Sequence, residues 1–335
     1  MSNNKNSRQP RIDVAKSSKT TRRKLRQLAS DPSGEVRQSV ARNPHIPRAV
    51  LRQLASDPNE KVRMEVALNP NTPPAVLQQL ASDPEEDVRK CVAINVHTSR
   101  ATLQKLADDP DEWVRDGVAQ NPRTSPAVFL QLAGDLGEGV RWNVAGNPNT
   151  PPEVLEVLAS DPNGLVRIGV AENPRTSPAV LLQLVDDPNV LVRSALAAKF
   201  IKIPPAVLQL LASDPDGDVR LKVARNRNTL PATLQKLADD PNGLVRIGVA
   251  ENPHTPPEVL QQLASDSNLE MRYLVATHPN TPPAVLQQLA SDPEKIVREQ
   301  VAENPNTLPE VLTVLALDFD PDVQKNALKA LQARH

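Results

Sequence analysis

The chain of 335 residues repeats itself every 26 residues, and this period constrains the fold more than any other feature of the sequence. The marker is an arginine that recurs at positions 37, 63, 89, 115, 141, 167, 193, 220, 246, 272 and 298. Every step is 26 residues except that from Arg193 to Arg220, which is 27. A period of about 20–50 residues is typical of solenoids, in which each repeat contacts only its neighbours. The sequence holds about twelve repeats, and the last carries Gln324 at the arginine position.

Each repeat is predicted to form two short helices. After Thr72, apolar Val76, Leu77 and Leu80 lie at the spacing of one helical face. We expect the threonine to cap the first helix with proline in its opening turn, and the glutamate three residues after Thr150 to complete a capping box. The second helix is expected to begin at an aspartate and to end at Asn-Pro, with the asparagine left-handed. The fold class is therefore an all-α helical-repeat solenoid.

The two ends of the chain differ from its middle. Residues 1–26 carry nine lysines and arginines and one aspartate, whereas the rest has a net charge of −9. We predict a basic, disordered tail over residues 1–19 and one solenoid over residues 20–335, with capping first and last repeats. The tail is interpreted as a solubilising arm or as a tether to nucleic acid or an anionic surface. It contains no apolar run, so we expect a cytoplasmic protein without a membrane anchor.

The repeated string resembles that of a known family. Residues 57–77 read Asp-Pro-x-x-x-Val-Arg-x-x-Val-Ala-x-Asn-Pro-x-Thr-Pro-Pro-x-Val-Leu, which is similar to the bacterial leucine-rich repeat variant family and more distantly to HEAT-like repeats. The resemblance covers roughly residues 20–325. It implies a right-handed superhelix in which one helix of each pair can be 3-10. A family member also carries a cysteine-rich iron–sulfur module, but this chain has one cysteine, Cys91, so no cofactor is expected.

The residues that could support catalysis are too scattered to form an active site. His45, His97 and His254 share one loop position in repeats that lie two and six apart. Packed helices are about 10 Å apart, whereas the histidine ligands of one metal lie about 2 Å from it. We expect solvated histidines, a structural Cys91, no metal and no enzymatic activity. The arginines are interpreted as links to the aspartate or a carbonyl of a neighbouring repeat, or alternatively as contacts to a phosphate backbone.

A variable stripe on the second helices is the predicted binding surface. Counted from the aspartate as zero, positions 4, 7 and 11 face away from the valines that recur from repeat to repeat and should be polar, yet many are large and apolar. The residues chosen as partner contacts are Trp113, Trp142, Tyr273, Ile168, Leu221, Ile247 and Met64. The alternative is that these side chains pack on adjacent repeats. Exposed aromatics would favour recognition of a partner.

The leading hypothesis is a non-enzymatic scaffold that binds a protein or an extended peptide. The alternative is nucleic-acid binding through the basic tail and the arginine column, by which we mean the arginines that recur from Arg37 to Arg298. A third possibility is an enzyme of the HEAT-like DNA-repair type. A net negative repeat region counts against the nucleic-acid alternative. No membrane and no small-molecule substrate is expected. The one-residue insertion at 199–203 predicts a local repair of the stacking or a kink.

Overall fold

The computed structural model describes residues 8–199 and 203–334, and within these ranges it contains helices and no strand. The chain divides into two compact units, of which the N-terminal one ends at Thr176 and the C-terminal one begins at Ser177. Each unit is a stack of two-helix repeats. The predicted all-α repeat solenoid is confirmed, with twelve helix pairs in the described residues.

The N-terminal unit contains one extra helix and six pairs. Its helices are α1 Arg8–Lys16, α2 Arg22–Leu28, α3 Gly34–Arg42, α4 Arg48–Leu54, α5 Glu60–Leu68, α6 Pro74–Leu80, α7 Glu86–Ile94, α8 Arg100–Leu106, α9 Glu112–Gln120, α10 Pro126–Leu132, α11 Glu138–Gly146, α12 Pro152–Leu158 and α13 Gly164–Glu172. From α2 onwards, even-numbered helices are the first helices of the repeats and odd-numbered helices are the second.

The C-terminal unit contains the remaining six pairs. Its helices are α14 Pro178–Gln183, α15 Val190–Ala198, α16 Pro205–Leu211, α17 Gly217–Arg225, α18 Pro231–Leu237, α19 Gly243–Glu251, α20 Pro257–Leu263, α21 Leu269–Thr277, α22 Pro283–Leu289, α23 Lys295–Glu303, α24 Pro309–Leu315 and α25 Pro321–Gln332. A single 3-10 turn, Leu184–Asp186, follows α14. Elsewhere in the described residues both helices of each pair are α-helical, so a 3-10 first helix is not the rule.

Valines, leucines and alanines form a continuous core in each unit. Within each unit, consecutive second helices pack on one another, and most first helices pack on the second helices before and after them. In the third repeat, Leu77 of α6 and Val88 and Val92 of α7 have no solvent exposure. Helices of seven and nine residues are unstable alone in water, so this packing is what stabilises them.

Helix α1 lies inside the segment that we predicted to be disordered. Its Ile12 and Ala15 are buried, and Arg11 forms an ion pair with Asp31 at 2.8 Å. Asn43 donates to the Ala15 carbonyl at 2.7 Å, as later asparagines do to the preceding second helix. Helix α1 therefore occupies the place of a second helix and covers the first repeat. Residues 1–7 lie outside the described residues, and the boundary at residue 19 stays a prediction.

The threonines do not cap the first helices as we predicted. The hydroxyl of Thr72 donates instead to the carbonyl of Val66 at 2.5 Å, and it is buried there. Thr150 likewise donates to Val144, so it forms no capping box with Glu153. The N-cap is the next residue, which is proline in six of the twelve described repeats. The threonine thus satisfies a carbonyl at the end of the preceding helix, where four carbonyls lack helical partners.

The asparagines at the ends of the second helices are extended rather than left-handed. Asn69 has φ −66° and ψ 126°. Its side-chain amide donates to the carbonyls of Ala41 at 2.7 Å and Asn43 at 3.3 Å in the preceding repeat, while its Oδ1 accepts the Asn71 amide. The asparagine conformation is therefore fixed by hydrogen bonds between repeats. The Asn-Pro dipeptide alone does not reveal these bonds.

The same asparagine bonding continues past the inserted residue. Asn226 donates to Ala197 at 2.8 Å and to Lys199 at 3.0 Å, although these carbonyls lie one residue further away in sequence than elsewhere. The predicted repair or kink falls mainly on residues 200–202, which are outside the described residues. The choice between the two stays a prediction.

Candidate functional site

The arginine column is a structural clasp between repeats. Arg89 donates Nε and Nη2 to the two carboxylate oxygens of Asp109 in the next repeat, at 2.7 and 3.0 Å. Its Nη1 donates at 2.9 Å to the backbone carbonyl of Asp83 in its own repeat. The bidentate bond between arginine and carboxylate is a strong, oriented one. The interpretation as a link between repeats is confirmed, and these guanidiniums are not free to follow a phosphate backbone.

The clasp also explains why the aspartate is not the helix cap that we predicted. In the second repeat, Asp57 accepts both the guanidinium of Arg37 and the amide of Asn59 at 2.9 Å. Asn59, two residues later, is the N-cap of α5 and accepts the Lys61 amide. The carboxylate thus holds a tight turn and the neighbouring repeat, and the helix begins three residues after it.

These bonds shift the pKa of the clasped groups. Burial alone would raise the pKa of Asp57, but hydrogen bonds from Arg37 and the Asn59 amide outweigh it and hold the pKa below its ordinary value. The hydrogen bond to Asp57 in turn raises the pKa of Arg37 against the opposing effect of burial. Both partners therefore stay charged at neutral pH.

Position 4 of the second helices is exposed, as predicted. The apolar residues there are Trp113, Leu165, Leu191, Leu244 and Ile296, and all have more than two fifths of their surface in solvent. Trp113 is the most open of them at 64%. Its ring lies 4.9 Å from the ammonium of Lys90 on the preceding second helix, within cation–π distance. This contact steadies the indole but leaves most of it accessible.

Position 7 is less accessible than we predicted. Trp142 is 50% exposed, but Met64, Ile168, Leu221 and Tyr273 are only half-exposed or less. Ile247 is 95% buried, so its choice as a partner contact was wrong. Met64 and Ile168 lie in the N-terminal unit with the tryptophans. Leu221, Ile247 and Tyr273 lie in the C-terminal unit.

Position 7 is covered because it borders the contact between consecutive second helices. Position 8 is often glycine, and a Cβ added at Gly248 would lie 2.8 Å from Leu221 and 3.1 Å from Ala224 of the preceding second helix. Adjacent helices approach closely there, so a position-7 side chain packs partly on the next helix. The packing alternative thus holds in part for position 7, and the exposed surface depends mainly on position 4 and Trp142.

A cavity of about 410 Å³ opens beside Trp142 in the N-terminal unit. It is lined by Gln120, Trp142, Asn143, Gly146, Asn147 and Pro148. Around Gly146 there is open space, since an added Cβ would meet no atom within 4 Å. Trp142 on α11 and Trp113 on α9 are therefore exposed on neighbouring helices, and the cavity lies beside the first of them.

A buried carboxylate orients the polar side chains of this cavity. Asp116 accepts the side-chain amide of Gln120 at 2.6 Å and also that of Asn143. Burial raises the pKa of Asp116, and the two hydrogen bonds oppose this effect. Both amides donate through nitrogen, so among the described residues their carbonyl oxygens remain as acceptors. Such acceptors suit the N–H groups of an extended peptide.

Sequence reasoning did not find Lys90, Asp116, Gln120 or Asn143, because their roles depend on contacts between repeats. One signal was available in the glycines at positions 2, 4 and 11 of the fifth repeat, which include Gly146. Small residues around an exposed tryptophan leave room for a ligand. A comparison of side-chain volume from repeat to repeat would have drawn attention to this site.

Two further groups that could react, Cys91 and His278, are buried. Cys91 is buried, and the pKa of its thiol is raised to about 11, mainly by burial and further by Asp87 and Glu65. His278 does not share the loop position of His45, His97 and His254, and it is only 5% exposed. It occupies the asparagine position and bonds to the backbone of the preceding repeat.

One group of carboxylates has a spacing that could hold a cation. Oxygen atoms of Glu299, Asp320 and Asp322 lie within 4.8 Å of one another. The ammonium of Lys295 forms ion pairs with all three at 3.3–3.8 Å, so it already supplies the positive charge of this group. This arrangement is a salt-bridge network at the start of α25 rather than a candidate metal centre.

Family models identify the repeat. The model described as leucine rich repeat variant matches residues 34–59, 60–85, 138–163 and 164–189, and that described as leucine rich repeat variant domain matches residues 246–297 and 270–332. Together these stretches cover more than half of the chain. The chain belongs to the leucine-rich repeat variant family. The repeats of this chain that lie between the matched stretches have the same clasp, for example the ion pair of Arg89 and Asp109.

Comparison with solved structures adds three similar chains. A leucine-rich repeat variant with a novel repetitive structural motif is 27% identical, with 74% of this chain and 87% of that one covered, at a TM-score of 0.48. An engineered protein is 18% identical, with 99% of this chain and 96% of that one covered, at a TM-score of 0.23. Kap121p bound to Pho4p is 13% identical over 93% of this chain and 42% of that one, at 0.35. A search of curated protein sequences finds no match.

No helix in residues 8–199 and 203–334 is both long and apolar enough to cross a membrane.

Proposed function

We propose that this leucine-rich repeat variant protein is a non-enzymatic scaffold that holds an extended peptide segment of a protein partner. The contact surface is the exposed face of α9 and α11 in the N-terminal unit. The observation that supports this most strongly is the exposure of Trp113 and Trp142, at 64% and 50%, on adjacent second helices. Exposed tryptophans bury a large apolar area when a partner binds and are enriched among residues that dominate binding energy.

The polar groups beside Trp142 favour a peptide as the partner. The carbonyl oxygens of Gln120 and Asn143 are held in place through the bonds of their amide nitrogens to Asp116. They can accept hydrogen bonds from the backbone of an extended segment while the indoles contact its side chains. Fixed acceptors reduce the entropy that is lost on binding.

Other members of the predicted stripe are assigned secondary roles. In the N-terminal unit, half-exposed Met64 and Ile168 extend the apolar surface on either side of the tryptophans. In the C-terminal unit, Leu221 and Tyr273 are candidate contacts of the same kind. Ile247 is excluded from the proposal because it is buried.

The test uses the fact that the chain has two tryptophans and both belong to the proposed surface. Peptides are selected against the full chain from a random display library, and their binding is followed by tryptophan fluorescence. We expect bound peptide to shift the emission to shorter wavelength because the indoles lose water. For Trp113→Ala and Trp142→Ala, binding is followed by calorimetry, and Kd should rise at least about tenfold in each, which is about 1.4 kcal/mol.

Leu136→Ala is the matched control. Leu136 is 97% exposed in the loop before α11, so its removal deletes apolar surface in the same repeat without altering the proposed site. Kd should stay within about twofold of the unmodified chain. Selected peptides that bind the tryptophan variants as tightly as the unmodified chain would place the binding surface elsewhere and refute the proposal.

A further inference from the structure

A second cavity, of about 420 Å³, lies between the first helices of the first two repeats. It is lined by Arg22, Arg26, Pro44, His45, Ile46, Pro47, Arg48 and Asn71. Arg22 and Arg26 come from α2 and Arg48 from the start of α4, so three arginines from two helices line one cavity. The lining includes no carboxylate. This cavity is on different helices from the tryptophan surface, so its role is independent of the proposed function.

The three arginines differ from those of the clasp, whose side chains are held by a carboxylate of the next repeat. Among residues 8–199 and 203–334, none of the three side chains forms an ion pair or a hydrogen bond, whereas the Arg37 side chain in the next helix is bound by both carboxylate oxygens of Asp57. All three are exposed. Neither α2 nor α4 contains an acidic residue.

This arrangement is electrostatically unfavourable when the cavity is empty of anions. Arg22 and Arg26 are four residues apart on one helix, and like charges at that spacing repel. Arg48 adds a third positive charge from the neighbouring helix. Most later repeats have proline at the position of Arg22 and Arg48, so the helix does not need an arginine there. An anion in the cavity would remove the repulsion.

The side chains around the cavity suit a compact, doubly charged anion. Guanidinium groups present paired N–H donors that match the oxygens of a phosphate. The imidazole of His45 can add another donor, while the side-chain amide of Asn71 is already bound to the Pro44 carbonyl at 2.7 Å. The three arginines line a single cavity, and no aromatic residue lines it for base stacking. Both features favour one phosphate group over a nucleic-acid strand.

We infer that Arg22, Arg26, Arg48 and His45 form a binding site for a phosphate monoester, carried by a small molecule or by a phosphorylated side chain of a peptide. The two sources share the same dianionic group. The site is independent of the arginine clasp and uses cations that the fold does not otherwise employ.

Calorimetry with the full chain tests this inference. The probes are inorganic phosphate, phosphoserine, a phosphoserine peptide and its unphosphorylated form, all at one ionic strength. We expect phosphoserine to bind and the unphosphorylated peptide not to bind. If the phosphopeptide binds much more tightly than phosphoserine, the phosphate monoester belongs to a peptide. If the two bind equally, it belongs to a small molecule. Arg26→Gln and Arg48→Gln should each weaken binding by about tenfold.

Arg52→Gln is the charge-matched control. Arg52 lies on α4, one turn after Arg48, and it does not line the cavity. Its replacement should change Kd by about twofold or less, and circular dichroism should show that all three variants are folded. The inference is overturned if none of the phosphate probes binds, or if Arg52→Gln weakens binding as much as Arg48→Gln. It is also overturned if duplex DNA binds more tightly than every phosphomonoester probe, with a steep salt dependence.

Discussion

At the scale of single residues, His278 shows how one position can depend on protonation state. It stands where most repeats have asparagine, with Nε2 2.9 Å from the Asn252 carbonyl and Nδ1 accepting the Asn280 amide at 3.1 Å. Nε2 must therefore donate and Nδ1 must accept, which is the neutral tautomer. Burial lowers the pKa of His278, and the bond to the Asn252 carbonyl opposes this effect.

The lowered pKa predicts a loss of stability in mild acid. Below the ordinary histidine value of 6.5, the unfolded chain binds a proton at His278 that the folded chain does not bind. The free energy of unfolding should therefore fall as pH drops below 6.5 and continue to fall until the folded pKa is reached. His278→Asn restores the usual asparagine and should reduce this loss, as measured by urea unfolding at about pH 7.5 and about pH 5.5.

His97→Asn is the control, because His97 is an exposed loop histidine. It should leave the urea midpoint at about pH 7.5 unchanged, which shows that replacement of a histidine by asparagine does not in itself alter stability. An equal pH dependence in His278→Asn and the unmodified chain would contradict the neutral buried tautomer.

Cys91 is predicted to be chemically silent in the folded chain. Its thiol is buried on α7, and its pKa is raised to about 11 by burial and nearby carboxylates. Since the thiolate is the reactive form, a disulfide reagent at about pH 8 should label the native chain only as fast as it opens locally. Addition of denaturant should allow complete labelling within minutes. Rapid stoichiometric labelling without denaturant would show that α7 is more open than the structure indicates.

At the scale of helices, local sequence signals predicted where the elements lie but not how their ends are bonded. The helix pattern was visible because Val, Leu and Ala recur at helical spacing. The ends were predicted incorrectly for two reasons: the threonines bond to a carbonyl six residues earlier, whereas the aspartates and asparagines have partners in other repeats. Asn121, for example, bonds to the carbonyl of Ala93, which is 28 residues earlier. No rule based on neighbours in sequence can identify a bond of that separation.

The arginine clasp should be the strongest polar contribution to the contact between repeats. Arg89 and Asp109 are 14% and 6% exposed in their side chains and share two hydrogen bonds. Arg89→Ala leaves the Asp109 carboxylate largely buried without its partner, so we expect a loss of about 2–3 kcal/mol. Asp109→Asn should cost a similar amount. The double variant should cost clearly less than the sum, as measured by urea unfolding in a double-mutant cycle.

An exposed ion pair provides the comparison. Arg225 and Glu251 in the C-terminal unit are 51% and 36% exposed, and their bond length of 2.6 Å is similar to that of the clasp. Arg225→Gln should cost less than about 1 kcal/mol because solvent screens the pair. If both substitutions cost the same, burial would not be the source of the clasp's strength.

At the scale of the whole molecule, the repeat pattern was sufficient to predict an all-α solenoid but only part of the candidate site. A comparison of repeats within one chain correctly separated the buried valines from the exposed position 4, where Trp113 lies. It did not predict that position 7 borders the neighbouring helix, which buries Ile247 and leaves Trp142 open. That difference depends on side-chain volumes in two repeats at once, such as Gly248 beside Leu221. The Arg22–Arg26–Arg48 cavity likewise joins residues from two repeats.

Acid should destabilise both units, because each contains aspartates with a lowered pKa. Burial raises the pKa of Asp135 and Asp240, but hydrogen bonds from Arg115 and Arg220 outweigh it and lower the pKa below 3.8. Above 3.8 these carboxylates are charged in both states and the clasp contributes fully. As pH falls from 3.8 through the lower folded pKa, the unfolded chain takes up protons first and this contribution is lost.

We therefore expect unfolding in acid to take up several protons, which makes the free energy of unfolding fall steeply below about pH 4. Circular dichroism with urea at a series of pH values measures this slope. Asp135→Asn removes one clasped carboxylate, so it should lower the free energy of unfolding at neutral pH. It should also reduce the number of protons taken up on unfolding in acid by less than one, and so make the slope less steep. A slope that is identical in the variant and the unmodified chain would mean that the clasped aspartates do not govern the acid response, and the exposed carboxylates would then have to account for it.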